Sequence, residues 1–194
     1  MKIKQITQDI YQYQDFSKES NDILESISSQ EWSPYTNTGG GETIIGRHTN
    51  LWPSDTTTGS HYRLVLDIFS KCVNAYALAN NLKFNSDHID SQFFIVREYQ
   101  PPSEMHAHSD AYGYITHSGK PVVPKITALF YLNSNYQGGE INFIKDKICI
   151  KPETGSVIIF PSTIQHEVKL LESGNRYMTQ TYVYESPLDS YNGL

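Results

Sequence analysis

The chain has 194 residues, an apolar fraction of 38% and a formal net charge of −6, which fits one domain with a sizeable core and speaks against a surface built for general nucleic-acid binding. Its two cysteines, Cys72 and Cys149, are too few for a disulfide scaffold and form no CxxC pair, so both read as buried small hydrophobes. The first residues hold no apolar run long enough for a signal peptide, and nothing approaches the length of a membrane span, so the cytoplasm is the expected location.

Along the chain, residues 1–16 alternate weakly through Ile3, Ile6, Ile10 and Tyr13 and read as a strand entering the domain. Asp15 or Ser17 would cap a helix over 18–28, where Ile23, Leu24 and Ile27 recur at helical spacing. From Trp32 to Gly59 the composition turns to Gly, Ser, Thr, Asn and Pro, which reads as loop with one short strand over 42–46. Leu64, Ile68, Cys72, Ala75 and Ala79 then predict a helix over 60–82 that packs across a sheet. After Asn85 come short β-rich runs at 92–99, 125–133, 140–144, 147–151, 156–161, 166–171 and 176–184, separated by turn residues such as Gly138-Gly139 and Gly174-Asn175. Such spacing predicts a mainly β jelly roll, with residues 1–90 as helical and loop support and 91–185 as the β core of a single domain. The tail from Ser186 has no pattern and reads as frayed.

Chemistry concentrates at His108, Asp110, His166 and Arg176. His108 and Asp110 stand two apart, so on an extended segment both leave the same face. With His166 they supply the two histidines and one carboxylate of a facial non-haem Fe(II) triad, which leaves coordination positions open for an oxo-acid and dioxygen. An inward Arg176 would be a buried cation lacking a carboxylate, a cost relieved by the far carboxylate of 2-oxoglutarate, with the Tyr131 hydroxyl adding a hydrogen bond. A turn over 172–175 would join 166–171 and 176–184 as a hairpin. His88-Ile89-Asp90 is a second HxD, but it lies in a polar turn before a strand, whereas His108 opens the long loop Ser109–Pro124. His106 shares spacing with His108 and reads as a partner of the ligands or a substrate contact, and His117 as a solvated loop histidine. Zinc would also accept this donor set, though a zinc hydrolase leaves Arg176 without a role.

From Phe94 to Val183 the chain resembles the prolyl 4-hydroxylase-type branch of the 2-oxoglutarate/Fe(II) dioxygenases. The residues that carry the resemblance are Tyr99 nine positions before His108, the HxD of His108 and Asp110, Thr127 to Asn133 as T-x-L-x-Y-L-N, and Gly138-Gly139-Glu140 with Phe143. Lys151-Pro152, Gly155, Phe160-Pro161, His166 and Gly174-Asn175-Arg176-Tyr177 complete the series. Pro102 and Met105 depart from the family's usual glycine and aromatic residue there.

The resemblance implies a double-stranded β-helix with helices on one sheet. It implies Fe(II) on His108, Asp110 and His166, with 2-oxoglutarate on Arg176 and Tyr131 and Tyr99 lining its pocket. Dioxygen would be the co-substrate and ascorbate a further cofactor. The activity implied is hydroxylation of an unactivated C–H, first of all in a prolyl residue of a peptide or protein, with the 109–124 loop as lid. The alternatives are a hydroxylase of a free amino acid or other small molecule, and a non-catalytic metal-binding jelly roll. Nucleic-acid demethylation is disfavoured, because Tyr182 stands where that branch carries a second arginine.

Overall fold

A computed structural model describes residues 1–38, 42–55, 58–91, 94–115 and 121–185. In chain order the strands are β1 (Lys2–Gln5), β2 (Tyr11–Gln14), β3 (Ser33–Asn37), β4 (Thr43–Leu51), β5 (Phe94–His108), β6 (Tyr114–Ile115), β7 (Pro121–Val122), β8 (Ile126–Tyr131), β9 (Gln137–Gly138), β10 (Ile141–Phe143), β11 (Ile148–Ile150), β12 (Ser156–Pro161), β13 (His166–Ser173) and β14 (Arg176–Val183). The helices are α1 (Ser17–Ile27) and α2 (Gly59–Ala79). Twelve strands form one curled antiparallel sheet along the order β1-β2-β12-β8-β14-β5-β13-β10-β11, with β3, β4 and β9 attached. This is the expected jelly roll.

Strand alternation splits the interior in two. Ala128 and Phe130 of β8, Val157 and Ile159 of β12, and Phe94 and Val96 of β5 face the helices, where they bury Ile23 and Ile27 of α1 and Val65, Phe69, Cys72 and Val73 of α2. Leu129 and Tyr131, Ile158 and Phe160, and Tyr99 with Met178 face inward and meet Ile141 and Phe143 from the opposite layer. One layer therefore has a helix-backed outer face and an inner face free to shape a cavity. Among the described residues no helix is long and apolar enough to cross a membrane.

Four local expectations are corrected. The 32–59 region holds a hairpin, β3 with β4, rather than one short strand, because β4 finds a long partner in β5, from Leu51↔Phe94 to Thr43↔Glu104. Residues 1–16 form two strands, not one, paired through Gln5↔Tyr11. Neither Asp15 nor Ser17 caps α1 by its side chain; Phe16 N–H donates to Gly155 O and Ser17 Oγ to Thr154 O, which ties the helix start to the turn before β12. Gly155 has φ +75°, and a Cβ there would lie 2.3 Å from Ser17 N, so both backbone and space demand glycine.

The fourth concerns β13 and β14, which are consecutive but do not pair. β5 runs between them, with its first half on β14 (Tyr99↔Arg176) and its second on β13 (His108↔His166). A hairpin would have kept both in one layer; the jelly roll puts them in facing layers. The tail from residue 186 lies outside the described residues.

Candidate active site

Between the layers lies a cavity of about 390 Å³, lined by Tyr99, His108, Asp110, Tyr131, His166 and Arg176 among others. The six residues singled out in the sequence thus meet in one space. His108 ends β5, His166 opens β13, and their direct ladder pairing sets the rings 4.4 Å apart. Asp110 follows the strand end, where its N–H donates to Ser162 O at 2.9 Å. Its two carboxylate oxygens lie 3.7 Å from His108 Nε2 and 3.7 Å from His166 Nε2. One donor atom from each residue lies within 4.8 Å of the others, a group that could hold a metal ion.

The protonation pattern suits a metal. Nδ1 of His108 lies 2.8 Å from His106 O and Nδ1 of His166 lies 3.0 Å from Ile164 O. A carbonyl only accepts, so in both rings Nδ1 carries the proton and Nε2 keeps its lone pair toward Asp110. Burial lowers the pKa of His166 further, outweighing the attraction of Asp110, and favours the neutral ring a metal requires. Asp110 is oriented by Thr127 Oγ1, which donates to Oδ2 at 2.8 Å. Thr127 has one hydroxyl proton, so Ser162 Oγ, 2.9 Å away, is the donor to Thr127.

Arg176 closes the other end. It is 2% exposed and forms no ion pair among the described residues. Nη1 donates to Gly139 O at 3.0 Å, the guanidinium carbon lies 4.5 Å from the Tyr99 ring centre, and Nε has no partner. Gly139 has φ +67°, a backbone conformation that side chains rarely adopt, and a Cβ there would come 3.2 Å from Leu171 Cδ1, so glycine suits the turn that delivers this carbonyl. Tyr131 is 1% exposed, and burial raises its hydroxyl pKa well above the ordinary value, leaving a neutral donor beside the arginine. An unpaired buried guanidinium and a neutral phenol make a seat for a carboxylate.

The rival and neighbouring histidines fall elsewhere. His88 sits in a 3₁₀ turn over Ser86–His88, where its Nδ1 lies 2.7 Å from Asn85 Oδ1, and it joins no metal-holding group among the described residues. His106 is exposed and outside the cavity lining, because a register shift between His166↔His108 and Val168↔Met105 turns Met105 inward in its place. Only its carbonyl serves the site. His117 lies outside the described residues. The loop before β8 carries the small hairpin of β6 and β7, and its tip, 116–120, is not described.

Sequence reading missed Thr127 and Ser162 as supports of Asp110, and Arg97, Gln180, Tyr35 and Glu42 as cavity walls. Thr127 was findable, since 127, 129 and 131 share a strand face.

Residues 94–184 match the 2OG-Fe(II) oxygenase superfamily. No curated protein matches the chain in sequence. Among solved structures it is similar to a viral collagen prolyl hydroxylase of Paramecium Bursaria Chlorella virus-1, at 17% identity, TM-score 0.63 and coverage of 91% of this chain and 96% of that one. It is similar to a Pseudomonas putida prolyl-4-hydroxylase at 14% identity, TM-score 0.61 and coverage of 92% and 93%. A third likeness is a Trichoplax adhaerens prolyl hydroxylase solved with a peptide of the hypoxia inducible factor oxygen degradation domain, at 17% identity, TM-score 0.62 and coverage of 92% and 84%. The superfamily match spans the β core that carries the His-Asp-His cluster, and the solved structures share the jelly-roll fold.

Proposed function

We propose that the chain is a 2-oxoglutarate/Fe(II)-dependent dioxygenase of the prolyl 4-hydroxylase-like type, taking Fe(II), 2-oxoglutarate and dioxygen, and that it hydroxylates an unactivated C–H of a prolyl residue in a peptide or protein. Fe(II) would be held by His108, Asp110 and His166, and the far carboxylate of 2-oxoglutarate by Arg176 and Tyr131, with Tyr99 under the guanidinium. The observation that carries this assignment is the buried Arg176, whose Nε lacks a partner, in the same cavity as the three donors. The prolyl reading draws on the named activities of the structural neighbours.

When bound, the metal and 2-oxoglutarate would supply, with dioxygen, the oxidant for C–H hydroxylation, 2-oxoglutarate leaving as succinate and carbon dioxide. The protein's own part is orientation. Nδ1–H of each histidine, locked on a carbonyl, aims Nε2 inward, and Ser162 through Thr127 fixes Asp110. Arg176 sets the far end of the oxo-acid by a charge-assisted bond in a dry wall. Residues 1–90 and 91–185 act in this reading as one domain, the former backing the cavity wall. A reducing cytoplasm would suit both Fe(II) and the free thiols of Cys72, buried as expected, and Cys149, which is exposed rather than buried.

The test is an anaerobic titration of metal-free protein with Fe(II) and 2-oxoglutarate, watching the visible chelate band. The band should form in the wild type and weaken in Asp110→Ala and Arg176→Ala. A folded, metal-loaded protein without the band would sink the assignment and favour a non-catalytic metal-binding jelly roll.

A further inference from the structure

Four arginines occur in the chain: Arg47, Arg63, Arg97 and Arg176. Arg47 is engaged by Glu98 and Arg63 is on the surface. Arg97 differs from both. It is half-buried, lines the cavity, and among the described residues forms no ion pair. Its guanidinium carbon lies 5.6 Å from the Tyr35 ring centre, a face contact that holds the cation without neutralising it.

Strand geometry says which part of the cavity it serves. Arg97 and Tyr99 share a face of β5, two residues or about 7 Å apart along the strand. Across the ladder Tyr99 meets Arg176, whereas Arg97 meets Met178, the next inward residue toward Gln180 and Tyr182. Arg97 therefore stands one step from the oxo-acid seat, with the Tyr35 ring against it and Gln180 further along β14 in the same cavity lining. Arg176 already answers the charge of 2-oxoglutarate, so the cofactor leaves Arg97 uncompensated.

Resting on the dioxygenase reading above, we propose that Arg97 selects a substrate that carries a carboxylate close to the C–H to be hydroxylated. A guanidinium fork matches carboxylate and phosphate alike. Carboxylate is the better fit here, since one guanidinium matches a single negative charge and Glu42, elsewhere in the same cavity lining, would disfavour a dianion more than a monoanion. The carboxylate can come from two sources, the α-carboxylate of a free amino acid or an acidic residue beside a proline in a peptide. Arg97 is thus a specificity-determining residue, apart from the groups that hold metal and oxo-acid.

The experiment measures substrate-stimulated succinate formation by the Fe(II)-loaded enzyme with matched probes. One arm pairs free amino acids, proline included, with their amides; the other pairs N-acetyl-Pro-Glu-amide peptides with their Pro-Gln counterparts. A carboxylate member of one arm should stimulate turnover about tenfold or more over its neutral partner, as a charge-assisted bond lost in a half-buried site would give. The responding arm names the source. In Arg97→Gln that carboxylate preference should collapse, and Arg97→Lys should restore part of it. The preference is a ratio within one variant, so a general loss of folding does not imitate its collapse. Equal response to both members of the pairs, no response to any carboxylate probe, or a preference that survives in Arg97→Gln would each overturn the proposal. The 2-oxoglutarate chelate band, read in the same wild-type samples, separates this failure from failure of the cofactor assignment.

Discussion

Asp110 owes its orientation to a hydroxyl that does not touch the cavity's contents. Thr127 donates its only proton to Oδ2 and receives one from Ser162, so the carboxylate is fixed from behind while its oxygens stay 3.7 Å from the two histidines. Thr127→Val keeps the shape and the β-branched fit to β8 but removes the donor. Fe(II) affinity should fall about 10- to 100-fold, the usual cost of losing a partner of a metal ligand. Anaerobic Fe(II) titration checks this, and an unchanged dissociation constant would show that Ser162 and the backbone suffice. Thr127 and Tyr131 lie at even spacing in one run, so their common face was legible. The link to Ser162 was not, because 35 residues separate the two and only the β8–β12 pairing brings them together.

At the scale of elements, Glu98 joins β5 to β4, β14 and the turn before it. It is 1% exposed and receives Arg47 at 2.8 Å, Gln100 at 2.7 Å, Tyr177 at 2.8 Å and Asn175 at 3.1 Å. Trp32 covers the arrangement, with the Arg47 guanidinium 4.7 Å from its ring centre. Burial alone would raise the Glu98 pKa, but the hydrogen bonds from Gln100, Arg47 and Tyr177 outweigh it and the net shift is downward.

A carboxylate whose folded pKa is depressed stabilises the fold above its unfolded value and loses that contribution as pH falls through the folded one. Glu98→Gln should therefore cost about 2 kcal/mol near neutrality, an amount kept modest because Arg47 is half exposed. The gap in melting temperature between wild type and variant should close as pH drops below about 4.3, the ordinary glutamate range. Thermal melts across that window decide it, since a gap that persists in acid would assign Glu98 a packing role. The sequence placed Glu98 on a strand but had no means to show that it faces the helix side, where a carboxylate needs every one of these donors.

Over the whole molecule, one inner wall serves both stability and binding. Arg176 is buried without a counter-charge, so the metal-free fold carries its cost and the ligand relieves it. Loading with Fe(II) and 2-oxoglutarate at about 100 times the dissociation constant should stabilise the fold by about 2.7 kcal/mol. For a chain of this size that raises the melting temperature by about 5 to 11 °C. Arg176→Met should melt no lower than wild type without ligand, yet lose most of the 2-oxoglutarate increment. A variant that melts much lower without ligand would mean that the Gly139 and Tyr99 contacts stabilise the arginine more than its burial costs.

Sequence alone determined the helix over 60–82, the run of short strands, and the His-Asp-His-Arg set, because period and residue chemistry are local properties that survive without coordinates. The β3–β4 hairpin escaped, since a segment rich in Ser, Thr and Asn becomes strand only when β5 offers its ladder. By spacing His106 shared a face with His108, but the register shift against β13 turned it to solvent. The separation of β13 from β14 by β5, the Ser162–Thr127–Asp110 chain and the uncompensated Arg97 were decided by tertiary structure alone. Each depends on which strands of a curled sheet become neighbours across long sequence distances, and local patterning carries no such information.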